Sequence, residues 1–270
     1  MVLDLFYNLL LVLLNFDLKN IFNYLQLNIT KMRTRIRLLS DLHLELNPNL
    51  KISFKNYADV VILAGDIGDP FTEQYVCLLR QLSLTHSKVF VISGNHEYYN
   101  KNYTMHQIDN QIKDLCIEED ENIHFLQMNY VIYNHIKFIG CTLWSNPKDQ
   151  TLCNYMNDFN YITFTDYIAT HKLHKDWVEN EIKIKDVSYD KICVITHHLP
   201  KENLINEEFK DDPLNLFFAS DINTMGADVW CYGHTHKSNY RKDNDIQYHC
   251  NPHGYLNENL STNFDYIFEM

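Results

Sequence analysis

The chain has 270 residues, 46% of them hydrophobic and 21% charged, enough apolar content for a large buried core and too much for a disordered chain. With 23 basic against 35 acidic side chains the formal charge is −12, and no basic run offsets it, which argues against nucleic acid as a partner. The seven cysteines are odd in number, scattered and without a C-x-x-C pair, so they read as reduced thiols of a cytoplasmic protein.

Residues 1–31 read as an extension outside the fold, with the domain running from 32 to 270. The apolar run Leu9–Leu14 is bounded by Asp4, Asn8, Asn15 and Asp17, well short of the ~20 apolar residues that span a bilayer, so no stable membrane insertion is expected. A peripheral apolar helix is the alternative for this segment. From Ile36 onward, short β-rich runs alternate with helix-length stretches, which is the α/β pattern. Ile36–Leu39, Asp59–Leu63 and Val89–Ile92 have the length and composition of buried parallel strands, with helices expected over Thr72–Ser83 and Met105–Leu115. Ile123–Leu126, Tyr130–Tyr133 and Ile136–Trp144 follow as strands, with Asn134-His135 as a hairpin turn. A long helix over Phe164–Ile184 precedes three more strands, Lys191–Ile195, Asp228–Tyr232 and Ile246–Cys250. Glu118–Glu121 reads as a solvated loop, and His171 and His174 as packed core histidines.

Residue types that bind divalent metals gather at the ends of five of these strands: Asp41 with His43, Asp66, Asn95 with His96, His197 with His198, and His234 with His236. On an extended segment, residues two apart share a face, so Asp41/His43 and His234/His236 are expected to project as pairs. The carboxyl ends of parallel strands lie at one sheet edge, where residues distant in sequence meet. Carboxylate, imidazole and amide oxygen together suit two five- or six-coordinate ions better than a closed structural zinc site. Each block alone has an ordinary reading as a turn or a core histidine; their joint occurrence after buried strands does not.

These blocks, Asp41-Leu42-His43, Gly65-Asp66, Gly94-Asn95-His96-Glu97, Thr196-His197-His198 and Gly233-His234-Thr235-His236, resemble the calcineurin-like metallophosphoesterase superfamily. Gly140–Trp144, Met156–Asp158, Asp212–Asn215 and Cys250–Tyr255 are similar to a subgroup of small phosphohydrolases. The resemblance implies a four-layer β-sandwich with flanking helices and a metal site at the strand carboxyl ends. It implies two divalent ions, Mn²⁺, Fe or Zn²⁺, one held by Asp41, His43 and His236, the other by Asn95, His197 and His234, with Asp66 bridging. A metal-bridging hydroxide would attack a small phosphate ester while His96 assists the leaving group. Asp69 would orient a histidine behind the ligands or cap its turn, Asn157 and Asp158 would line the pocket or form a local turn, and His198 would stand in the wall. Protein phosphatases of the superfamily carry Gly where Leu44 follows His43, and an Arg after the Gly-Asp block that Gly68-Asp69-Pro70 lacks. Without Arg in any metal-binding block, a diester or nucleotide is favoured over a dianionic monoester. Arg241 would serve if its strand approached the site. Relatives of the subgroup often carry Arg at the position of His253. The alternatives are a catalytically silent scaffold for protein contacts and a nuclease of the same superfamily.

Overall fold

The computed structural model describes residues 33–256, 258 and 262–270; the expected extension over 1–31 lies outside them. Among the described residues eleven strands form two sheets. In the first, β1 (Arg35–Leu39), β2 (Val60–Ala64), β3 (Lys88–Ile92) and β4 (Ile123–Phe125) run parallel, and β11 (Ile267–Glu269) closes the β1 edge antiparallel. The second has the order β5 (Asn129–Tyr133), β6 (Ile136–Cys141), β7 (Lys191–Thr196), β8 (Val229–Tyr232), β10 (Ile246–Cys250), β9 (Asn239–Asp243), parallel from β6 through β10 with antiparallel edges. The helices α1 (Glu73–Ser83), α2 (Met105–Glu119) and α3 (Phe164–Glu181) connect them. Among the described residues no helix is long and apolar enough to cross a membrane.

The two-residue period of the strands builds the layers. Ile36, Leu38, Ile62 and Phe90 point inward and meet Phe138, Ile195 and Cys231 of the other sheet. The alternate residues Leu39, Val61, Leu63 and Val91 pack outward on Leu79 of α1 and Ile108 and Ile112 of α2. On the far side Ile139, Val194 and Trp230 pack on Val178 of α3. This is the expected four-layer arrangement. Arg37 is buried inside it, donating to the Phe264 and Asn56 carbonyls, pairing with Asp265 at 3.2 Å, and lying over the Phe54 ring, which ties β1 to the C-terminal segment.

The structure departs from the expected elements in three places. Helix α2 runs on through Glu118 and Glu119, and Glu119 binds Arg80 at 2.9 Å, so this part of the acidic run is helix rather than loop. Strand β6 stops at Cys141, because Leu143 and Trp144 take left-handed φ of 70° and 57°. The two core histidines hold that turn: His171 Nδ1 donates to the Leu143 carbonyl at 3.1 Å and Leu143 N–H donates to His174 Nδ1 at 3.2 Å. Strands β9 and β11 carry exposed and half-buried residues without a long apolar run, and had no periodic signal to reveal them. The Asn134-His135 hairpin is present, with φ of 49° and 60° at the two positions, as a tight primed turn requires.

Candidate metal centre

Both sheets present the carboxyl ends of β1, β2, β3, β7 and β8 on the same side, and their following turns carry the candidate ligands. Asp41, His43, Asp66, His234 and His236 all have left-handed φ, between 46° and 72°. The expectation that alternation along an extended strand would pair Asp41 with His43 and His234 with His236 is therefore wrong in its reason. The chain turns sharply at these residues, and tertiary contacts hold the strained backbone. The Asp41 carboxylate accepts from His234 N–H at 2.9 Å, and His43 N–H donates to the Asp66 carbonyl at 3.0 Å, so the loops lock one another. At Gly94 an added Cβ would lie 2.1 Å from Asp66 Oδ1, so the approach of that carboxylate requires glycine.

Ligand atoms of Asp41, His43, Asp66 and His236 lie within 4.8 Å of one another, as do those of Asp66, His197 and His234. Asp66 is common to both groups. His43 Nε2 and His236 Nε2 face each other at 3.1 Å. Asn95 Nδ2 donates to Asp158 Oδ1 and to the Tyr99 hydroxyl, both at 3.0 Å, which turns Asn95 Oδ1 toward His197 Nε2, also at 3.0 Å. His197 Nδ1 donates to the Ala64 carbonyl at 2.8 Å, so in the neutral ring Nε2 meets Asn95 Oδ1 lone pair to lone pair. A proton or a metal ion must stand between them. Burial opposes charge on His197, yet Asp66 and Asp41 outweigh it and push the ring up to about 10. His234 Nε2 is buried and has no hydrogen-bond partner. The donor set thus fits two cations sharing Asp66.

The residues behind the candidate ligands went largely unread in the sequence. Glu45 Oε1 lies 3.1 Å from both His43 Nδ1 and His96 Nδ1, and Glu258 Oε2 lies 2.7 Å from His236 Nδ1, so carboxylates orient rings whose other nitrogen faces the site. Burial works against charge on Glu45, but the hydrogen bonds from His43 and His96 prevail and bring it down to about 2. Burial likewise opposes protonation of His96, while Asp66 and Glu45 push it up to about 9. Glu97 is buried and accepts from the N–H groups of Gly94, Asp66 and Ile67 at 2.7, 3.0 and 2.7 Å. The spacing His43-x-Glu45 was the one signal available for Glu45.

A profile of the calcineurin-like phosphoesterases matches residues 34–238. The chain belongs to this family. The phosphoesterase is 32% identical to the uncharacterized protein L509 of Acanthamoeba polyphaga mimivirus, over 84% of this chain and 94% of that one. Among solved structures it is similar to the phosphopantetheinyl hydrolase of Mycobacterium tuberculosis, with a TM-score of 0.64 and 14% identity over 88% of this chain and 96% of that one. The protein TT1561 of Thermus thermophilus gives a TM-score of 0.50 and 10% identity over 82% and 90%. At these identities the solved structures share the fold.

The remaining residues of interest in the phosphoesterase divide. Asp158 is buried and positions Asn95, and Asn157 lines the cavity beside the ligands. His198 is buried, 4.2 Å ring to ring from His234, as a wall residue would be. Asp69 accepts from Phe71 N–H at 3.0 Å, so it caps its own turn, and Glu45 rather than Asp69 orients His96. Arg241 lies on exposed β9 and donates to the Asn203 carbonyl at 2.7 Å; it lines a different cavity, and its strand does not bring it to the ligands. His253 Nδ1 bonds Thr262 Oγ1 at 2.9 Å and its ring stacks on Phe264, and it does not line the ligand cavity.

Proposed function

We propose that this chain is a dinuclear metal-dependent phosphoesterase acting on a small phosphodiester, nucleotide or related phosphate ester. The observation that carries the reading is the convergence of six candidate ligand side chains on Asp66 with acceptor atoms facing each other, an arrangement that calls for cations between them. Two divalent ions there would supply positive charge to the phosphate and lower the pKa of water. Asp41, His43 and His236 would hold one ion, Asn95, His197 and His234 the other, with Asp66 shared. Asp158 and Tyr99 keep the Asn95 amide oxygen turned to the site. His96 sits beside it, its ring centroid 4.4 Å from that of His43, with Nδ1 held by Glu45 and Nε2, now against the Tyr255 hydroxyl at 3.0 Å, the atom that would give a proton to the departing ester oxygen.

Protein supplied with Mn²⁺ or Zn²⁺ is expected to hold about two ions per chain by elemental analysis and to hydrolyse bis(4-nitrophenyl) phosphate. Asp66→Asn should lose both. His96→Ala should keep its metal and lose ~10²-fold in kcat on an alkyl ester with a poor leaving group, and less on the activated nitrophenyl ester. Protein that binds no metal would overturn the reading. Metal binding without hydrolysis of any ester would favour the scaffold.

A further inference from the structure

Two cavities meet at His96. The first, of about 560 Å³, contains Asp66, Asn95, His234 and His236 in its wall. Part of its wall is a cluster of apolar side chains, Met156, Ile205, Phe209, Leu214 and Phe218, with the Phe218 ring 4.4 Å from that of His234, and Asp212, Asn215 and Glu258 also line it. Lys237 is its only Lys or Arg among the described residues, and it pairs with Glu208 at 3.5 Å. The second, of about 570 Å³, is lined by Glu45, Asp69, Asn160, Tyr161 and others, and among the described residues no Lys or Arg lines it. Lys101 approaches the Tyr161 ring at 5.7 Å without entering that lining. His96, Tyr99, Asn157 and Tyr255 belong to both walls and form the partition. The Tyr255 hydroxyl lies 3.0 Å from His96 Nε2, so the partition is joined across the site.

A phosphate seated at the candidate ligands therefore has two unlike surroundings for its two ester groups. One carries the cluster of aliphatic and phenylalanine side chains and is reached directly from the candidate ligands. The other lies past His96 and is lined by carboxylates, amides, tyrosines and Leu46, without such a cluster. We infer that the substrate is an unsymmetrical phosphodiester whose apolar ester group rests on Phe209, Leu214 and Phe218 and is retained, and whose other alcohol, polar and without negative charge, occupies the second cavity and leaves. The inference rests on the phosphoesterase reading above. In the reaction water adds its oxygen to phosphorus, the bond from phosphorus to the second-cavity oxygen breaks with its electron pair, and His96 supplies the proton that makes this oxygen an alcohol. The products are an apolar monoester and a polar alcohol. An anionic leaving alcohol is disfavoured because Glu45 and Asp69 line that cavity without a Lys or Arg, and His96 is already paired with Glu45 at 3.1 Å. Aromatic faces beside carboxylates accept a neutral polyol or an ammonium group.

The test uses metal-loaded protein and three hexyl phosphodiesters, with choline, glycerol and glycolate as the second alcohol. Products are identified by mass spectrometry. Release of choline and glycerol with hexyl phosphate retained, and kcat/KM at least ~10-fold lower for the glycolate ester, is expected. Asn160→Lys, at an exposed position of the second cavity's wall, should narrow that ratio to under ~3-fold. Binding is read separately by calorimetry with phosphonates that cannot be hydrolysed. Hexylphosphonate should bind at least ~10-fold tighter than methylphosphonate, and Phe209→Ala should cut this advantage several-fold. Release of hexanol, equal rates on all three diesters, or equal affinity for the two phosphonates would overturn the inference while leaving the phosphoesterase reading in place. No hydrolysis of any diester would overturn the inference, and the phosphoesterase reading falls with it only if phosphomonoesters are left intact as well.

Discussion

Glu97 offers the sharpest test of how the centre is built, because it ligates nothing and touches both turns that carry Asp66 and Asn95. Its carboxylate is 2% exposed and accepts from three backbone N–H groups at 2.7–3.0 Å, those of Gly94, Asp66 and Ile67, with Gly68 N–H farther off at 3.4 Å. Glu97→Ala removes every one of these acceptors. A buried donor left without a partner costs ~1–3 kcal/mol. Counting the three short bonds at the low end, since water can enter the space vacated, gives a loss of about 3 kcal/mol. That is a large share of the ~5–15 kcal/mol that holds a domain folded. Urea denaturation of protein stripped with EDTA, followed by tryptophan fluorescence, measures the loss without a contribution from bound metal. Glu97→Gln keeps the size and one acceptor oxygen and should fall between the wild type and Glu97→Ala. Glu118→Ala, at an exposed position of α2, is the reference and should stay within ~0.5 kcal/mol. A Glu97→Ala loss under about 1 kcal/mol would refute the account of the Gly65–Ile67 and Gly94–Glu97 turns as joined by this carboxylate.

Asp158→Ala frees the Asn95 amide to rotate and is expected to weaken one metal site ~10-fold while sparing the other in a two-phase metal titration; equal loss at both would show that Asp158 supports the domain generally. Burial lowers His174 to about 3 from an ordinary 6.5, so the folded protein leaves it neutral while the unfolded chain takes up its proton below pH 6.5. Its contribution is complete above pH 6.5 and falls with acidification, by about 2 kcal/mol at pH 5, because a protonated Nδ1 can no longer accept from Leu143 N–H. His174→Gln should flatten the stability profile between pH 7 and 5 by that amount; an unchanged slope would place the acid sensitivity elsewhere.

Much of the architecture was legible because parallel strands covered on both faces must be apolar throughout. Runs such as Val60–Ala64 and Lys191–Thr196 stand out, and the polar residues just beyond them mark the edge where a site is built. The metal-binding residue types were legible for the same reason, since each follows a strand end. The edge strands β9 and β11 were not, because their pairing is set by the neighbour they hydrogen-bond, and exposed residues such as Tyr240 and Arg241 carry no periodic signature. Nor did sequence distance reveal that Glu45 reaches His96, 51 residues away, in place of Asp69, or that Glu258 comes to His236. The left-handed turns at Asp41, His43, Asp66, His234 and His236 belong to the same class, being strained conformations that non-glycine residues adopt only where surrounding contacts impose them. Composition and strand pattern alone thus determined which residue types reach the sheet edge. The packing of one sheet on the other decided which of them meet, because the distances between atoms from different loops exist only once the inter-sheet core has closed.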